Sequence, residues 1–151
     1  MIILDAYAVL ALLKGEPAAA QVGDLLRDQQ ARLTTVGLAE VIDHLVRRCE
    51  ADEDEAVLDL AQLGLNDALP VSVDIAVRAG LLRARHYHRR DRAVSLADCI
   101  AAAAAKVTQT AVVTSDAHLL NMCHEEEIEV IVLPETAGWI WSPDQGSNAS
   151  R

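Results

Sequence analysis

Five short runs of strand character, separated by longer stretches of helical periodicity, constrain this chain more than any other feature. Ile2–Leu4, Arg32–Thr35, Leu69–Val73, Ala111–Thr114 and Val130–Leu133 are short, rich in β-branched residues and close to turn or polar residues. Between them, helical patterns cover about 6–13, 17–28, 36–50, 53–64, 73–88, 95–107 and 116–124. Strands that alternate with helices in this way build βαβ units and pair in parallel. The spacing therefore predicts an α/β fold, a short central parallel sheet of about five strands flanked by helices. A length of 151 residues suffices for one domain whose core needs no disulfide or metal staple. Residues 1–141 are expected to form that domain, and the polar stretch 142–151 a disordered tail. Phe is absent, so the core must be built from Ala, Leu, Val and Ile. Trp139 and Trp141 fall on one side of an extended segment, which either closes the core or meets another subunit.

Open parallel sheets bind ligands beyond the carboxyl ends of their strands. That rule singles out acids by position. Asp5 directly follows the first strand, and Asp116 follows the fourth. Asp98 opens the helix that feeds the fourth strand, and Glu40 lies near the start of the helix after the second. Each has a purely structural alternative. Asp5 and Asp116 can cap helices. Ser95-Leu-Ala-Asp98 matches a capping box. Glu40 lies away from the apolar stripe Leu38, Ile42, Leu45 and Cys49, on a face where Asp43 and Arg47 can form an i,i+4 pair. Against the capping reading of Asp98 stands its helix, which is apolar nearly all round and so expected to be buried, where a charge needs a partner or a metal.

Several acids at one sheet edge would repel each other and drive one another to protonate. A divalent cation resolves the conflict, and Mg2+ or Mn2+ suits carboxylate and water ligands. Such an ion lowers the pKa of bound water and stabilises charge on a phosphoryl group, chemistry that requires no Ser or His nucleophile.

In this order, MIILDAYAVLALLKGEP, LAEVIDHLVRR, VSLADCIAAAAA and AVVTSDAHLL resemble PIN domains, specifically VapC-type toxins of type II toxin–antitoxin pairs. The resemblance covers about residues 1–134. It implies a PIN-like parallel sheet, a Mg2+- or Mn2+-dependent endoribonuclease, a homodimer and a cognate VapB-like antitoxin. Asp5, Glu40, Asp98 and Asp116 match the family's four acids, with Asp5, Asp98 and Asp116 as metal ligands. The chain departs from the family pattern at His118, where another acid is common, at Leu119, where an aromatic is common, and at Tyr7, where Ser or Thr is frequent. The alternatives are an inactive PIN-like interaction module and a phosphotransfer or phosphatase domain using Asp5. The latter wants D-x-D after the first strand, where this chain has Asp5-Ala-Tyr7. A dinucleotide-binding domain wants G-x-G-x-x-G there, which is missing.

The net charge of −10 speaks against general affinity for nucleic acid, but the charge is segregated. Residues 78–92 hold six arginines against Asp91. Within them Arg85, Arg89 and Arg90 are candidate RNA contacts, because arginine forks match phosphate. The alternative is that these arginines pair with the chain's own acids. Cys49, Cys99 and Cys123 form no CxxC pair, which fits a reducing cytosol. No apolar run is long enough to span a membrane, and the apolar N-terminus lacks the basic residues of a signal peptide. The expected location is cytoplasmic.

Overall fold

The computed structural model describes residues 1–28 and 30–143. Most of the expected tail, residues 144–151, lies outside them. In chain order the elements are β1 (Ile2–Leu4), α1 (Ala6–Lys14), α2 (Ala19–Asp28), β2 (Ala31–Arg32), α3 (Thr35–Cys49), α4 (Glu53–Gln62), α5 (Val73–His86), α6 (Leu96–Thr108), β3 (Ala111–Thr114), α7 (Ala117–Glu125) and β4 (Val130–Val132). The sheet is parallel throughout, in the order β2-β1-β3-β4.

Strand side chains alternate between faces, and the core divides accordingly. Ile2, Leu4 and Val113 point to one side, into a cluster with Val9, Val22, Val41 and Leu60 from α1 to α4. Ile3 and Val112 point to the other, against Ile75, Ala79, Leu119 and Met122 from α5 and α7. Helix α6 belongs to this second cluster, and Cys99 to Ala105 are all buried. Its alanines let the helix lie close to β1, β3, α3, α5 and α7 at once.

The sheet has four strands where about five are expected. The Leu69–Val73 run contributes a single parallel bridge, Thr34 to Leu69. Leu69 donates to the Leu33 carbonyl at 2.8 Å and accepts from the Thr35 amide at 2.9 Å. Pro70 then has no N–H to offer, and Ser72 caps α5 by accepting from the Ile75 amide at 3.3 Å. The segment is thus committed to starting a helix after one bridge. The expected strand 32–35 is likewise cut short, because Thr34 caps α3 by accepting from the Gly37 amide at 3.0 Å. Of the two tryptophans, Trp141 donates to Asn121 Oδ1 at 2.9 Å and packs edge-on against His124, whereas Trp139 is 72% exposed. Among the described residues no helix is long and apolar enough to cross a membrane.

Candidate functional site

From β1 the chain turns towards β2 on one side, and from β3 towards β4 on the other. The carboxyl ends of β1 and β3 are therefore the switch point of the sheet, where a crevice opens. Asp5 follows β1, and Thr114 ends β3 with Asp116 two residues on.

Asp5 is only 4% exposed, yet it caps α1 by accepting from the Tyr7 amide. Its other oxygen accepts from the hydroxyl of Thr114, which is fully buried. Burial pushes the Asp5 carboxyl from 3.8 up to about 7, and Asp98 and Asp116 add to the rise while Thr114 and Tyr7 oppose it. Asp116 caps α7, accepting from the amides of His118 at 2.7 Å and Leu119 at 3.0 Å. Its own amide donates to Thr114 Oγ1 at 3.0 Å. Thr114 therefore links the two acids by one donated and one accepted hydrogen bond. In the sequence Thr114 stands only as the end of the fourth strand run, and a Thr closing a buried strand two residues before an acid is the signal that marks it.

Asp98 does form the capping box with Ser95: Oδ2 accepts from the Ser95 amide at 2.7 Å, and the Asp98 amide donates to Ser95 Oγ at 3.0 Å. Capping does not consume the group, since a carboxylate can accept about four hydrogen bonds. Burial raises its pKa and Asp116 adds to this, while Ser95 and His118 lower it. Glu40 is half-buried, and burial, Asp98 and Asp43 raise its pKa in that order. Helix α3 packs on α6 as well as on α1, so the face that carries Glu40 is covered by a neighbour. Gly37, one turn before it, is buried against Leu33 and Thr34. The expected Asp43–Arg47 pair forms at 2.7 Å on the exposed side of the helix.

Asp5, Glu40 and Asp98 line one cleft of about 10 Å³, together with Thr34, Gly37 and Ala101. That is room for a single water-sized body. Asp116 and His118 line a separate, wider depression together with Tyr7. Among the described residues no three Asp, Glu, His or Cys side chains converge closely enough to share one ion. Mg2+ does not require three, because it keeps several waters and is held by one or two carboxylates plus substrate phosphates. The donor set, all carboxylate oxygens, fits the chemistry of such an ion.

The arginine stretch lies elsewhere. Arg85 pairs with Glu126 at 3.0 Å and Arg92 donates to Glu125 at 2.9 Å, while Arg78 pairs with Asp74 at 3.1 Å. The Arg83 guanidinium lies 4.3 Å from the centre of the Tyr87 ring. Glu125 and Glu126 stand at the far end of α7 from Asp116, roughly 13 Å along the helix at its 1.5 Å rise per residue. The structure thus brings Arg85 to the chain's own acids and away from the carboxylate cleft. Arg89 and Arg90 sit on the exposed turn closed by the bridge between His88 and Arg92.

Fold and site together define a parallel α/β domain that gathers acidic side chains at the switch point of its sheet. The chain belongs to the PIN-domain family, whose sequence profile matches residues 2–125. Solved structures share the fold at low identity. FitAcB from Neisseria gonorrhoeae aligns at 18% identity and a TM-score of 0.63, covering 87% of this chain and 96% of that one. VapBC-1 from nontypeable Haemophilus influenzae aligns at 18% identity and a TM-score of 0.64, covering 87% and 97%. VapC20 from Mycobacterium tuberculosis, a toxin that cleaves the sarcin–ricin loop, aligns at 19% identity and a TM-score of 0.61, covering 80% and 93%. No curated protein matches the sequence significantly.

Proposed function

We propose that this chain is a Mg2+- or Mn2+-dependent endoribonuclease and the toxin of a toxin–antitoxin pair. The observation that carries this is the single cleft lined by Asp5, Glu40 and Asp98 at the switch point of the sheet. Membership of the PIN family and the toxins among its structural neighbours support it.

Asp5, Asp98 and Asp116 would hold the ion. When bound, the ion supplies a water of lowered pKa and neutralises charge on the phosphoryl oxygens. Thr114 fixes the rotamer of Asp5 by donating to one carboxylate oxygen. Glu40, half-buried at the edge of the cleft, accepts the proton of the water that attacks phosphorus. Its raised pKa brings it nearer the operating pH, as a general base requires.

The partner is a small VapB-like antitoxin with an arginine-bearing segment. A guanidinium entering the cleft would substitute its charge for that of the metal and block catalysis. The toxin itself is a homodimer. Incubating the full chain with single-stranded RNA tests the reading. Internal cleavage is expected in Mg2+ or Mn2+, and none in EDTA. Intact RNA under both conditions would refute it in favour of a non-cleaving interaction module.

A further inference from the structure

Two depressions meet at Tyr7. One, of about 500 Å³, runs along α3 past Glu40, His44, Arg47 and Arg48. The other, of about 470 Å³, runs past Asp116 and His118 to Thr136. The carboxylate cleft opens beside both, since Asp5 precedes Tyr7 by two residues and Glu40 lines the cleft as well as the first groove.

Tyr7 is 53% exposed, although its neighbours Ala6, Ala8 and Val9 in the same turn are buried. Its ring meets the His44 ring edge-on, with centroids 6.3 Å apart and planes at 75°. An exposed aromatic held in place at the mouth of an acidic cleft is a platform for a base, because every base offers a π-face.

The charge around it is arranged for an anion. Asp43 is engaged by Arg47 at 2.7 Å. Lys14 Nζ donates to His44 Nε2 at 2.8 Å, which requires that nitrogen to be unprotonated. Burial, Lys14, Arg48 and Arg47 all favour the neutral ring. Lys14 and Arg48 are exposed and have no carboxylate partner among the described residues. Arg48 lines the groove along α3 and Lys14 joins it through His44, so in a chain of net charge −10 two cations without a carboxylate partner stand along the groove that leads to the carboxylate cleft, a place for phosphate.

We propose that Tyr7, Lys14 and Arg48 form a nucleotide subsite in which the Tyr7 ring stacks an unpaired base of single-stranded RNA and the two cations hold the adjacent phosphate. The inference rests on the endoribonuclease reading and moves the RNA contact from the arginine stretch to the groove along α3. It gives Tyr7 a role at the position where this chain departs from the family pattern.

Binding of a labelled single-stranded RNA to the full chain in EDTA tests it. Tyr7→Ala should weaken binding roughly ten-fold, the scale of one lost stacked base, and Tyr7→Phe should stay within about two-fold of wild type. An RNA with abasic nucleotides should erase the Tyr7→Ala effect. Lys14→Gln with Arg48→Gln should flatten the plot of log K against log salt by about 1.4, or 0.7 per released counterion. Unchanged binding in Tyr7→Ala, or an unchanged salt slope in the double variant, overturns the subsite. So does failure of the wild type to bind. Wild-type cleavage in Mg2+ is read in parallel. Cleavage with Tyr7-independent binding refutes the subsite alone, whereas Tyr7-dependent binding without cleavage refutes the nuclease reading alone.

Discussion

Asp5→Asn should give a protein that is inactive and, without metal, more stable than wild type at neutral pH. The Asp5 carboxyl titrates at about 7 in the folded chain against 3.8 as its ordinary value. The native state therefore binds this proton more tightly than the unfolded chain does. Stability associated with the group is complete below 3.8 and is lost as pH rises through about 7. At about 1.4 kcal/mol per pKa unit, the full loss is about 4 kcal/mol. The same linkage puts about 2.5 kcal/mol of it between pH 5 and pH 8. Asn is isosteric and caps a helix as well as Asp does, so the Tyr7 amide keeps its acceptor. Asn carries no charge to desolvate. Urea denaturation in EDTA at several pH values measures the effect. The curves of the two proteins should lie close at pH 5 and diverge towards pH 8, with the variant above. Saturating Mg2+ should raise wild type more than the variant, since only wild type keeps the carboxylate. Parallel stability–pH profiles would refute the argument that burial, and not local hydrogen bonding, dominates at Asp5.

Asp98→Asn should abolish RNA cleavage while losing no more than about 1 kcal/mol in denaturation, because Asn can still accept from the Ser95 amide; cleavage within a few-fold of wild type would reduce Asp98 to its capping role. Thr114→Val should cost about 1–3 kcal/mol by leaving the Asp116 amide and Asp5 without their partner. Because Thr114 holds the Asp5 pKa down, the variant's acid limb of activity should move to higher pH, and an unmoved pH–rate profile would show that Asp5 ionisation is not what titrates. Glu126→Gln weakens the ties to Arg85 and His86 and should cost about 1–2 kcal/mol at pH 7. His86 and Arg85 hold the Glu126 carboxyl below its ordinary value of 4.5, so the stability it gives is present above 4.5 and lost as pH falls through the lowered pKa. The difference from wild type should therefore shrink on acidification. RNA affinity should stay within two-fold, and a large gain would return the arginine face to the RNA site.

Local pattern was enough for the alternation of strand and helix, and with it the parallel sheet and its edge. Asp5, Asp98 and Asp116 were legible because each sits within two residues of an element boundary, where neighbouring residues alone set its position. Their capping roles were legible for the same reason, and the structure shows that capping leaves carboxylate lone pairs unused. Glu40 was the harder case. Periodicity identifies the most apolar stripe of α3, but whether another face meets water or α6 depends on elements some sixty residues away in sequence. The fifth strand was lost because Pro70 and the Ser72 cap limit it to one bridge, a competition between helix start and strand pairing that composition does not resolve. The arginine stretch was visible as charge, but its partners Glu125 and Glu126 came only with the packing of α5 and α7 against α6. Thr114 belongs to the same class, since its link to Asp5 spans 109 residues. The sequence determined which chemical groups stand at the edge of the sheet. Tertiary structure decided which of them share a cleft and which cations lie beside it, because those contacts depend on how distant helices pack together and not on the period of any one of them.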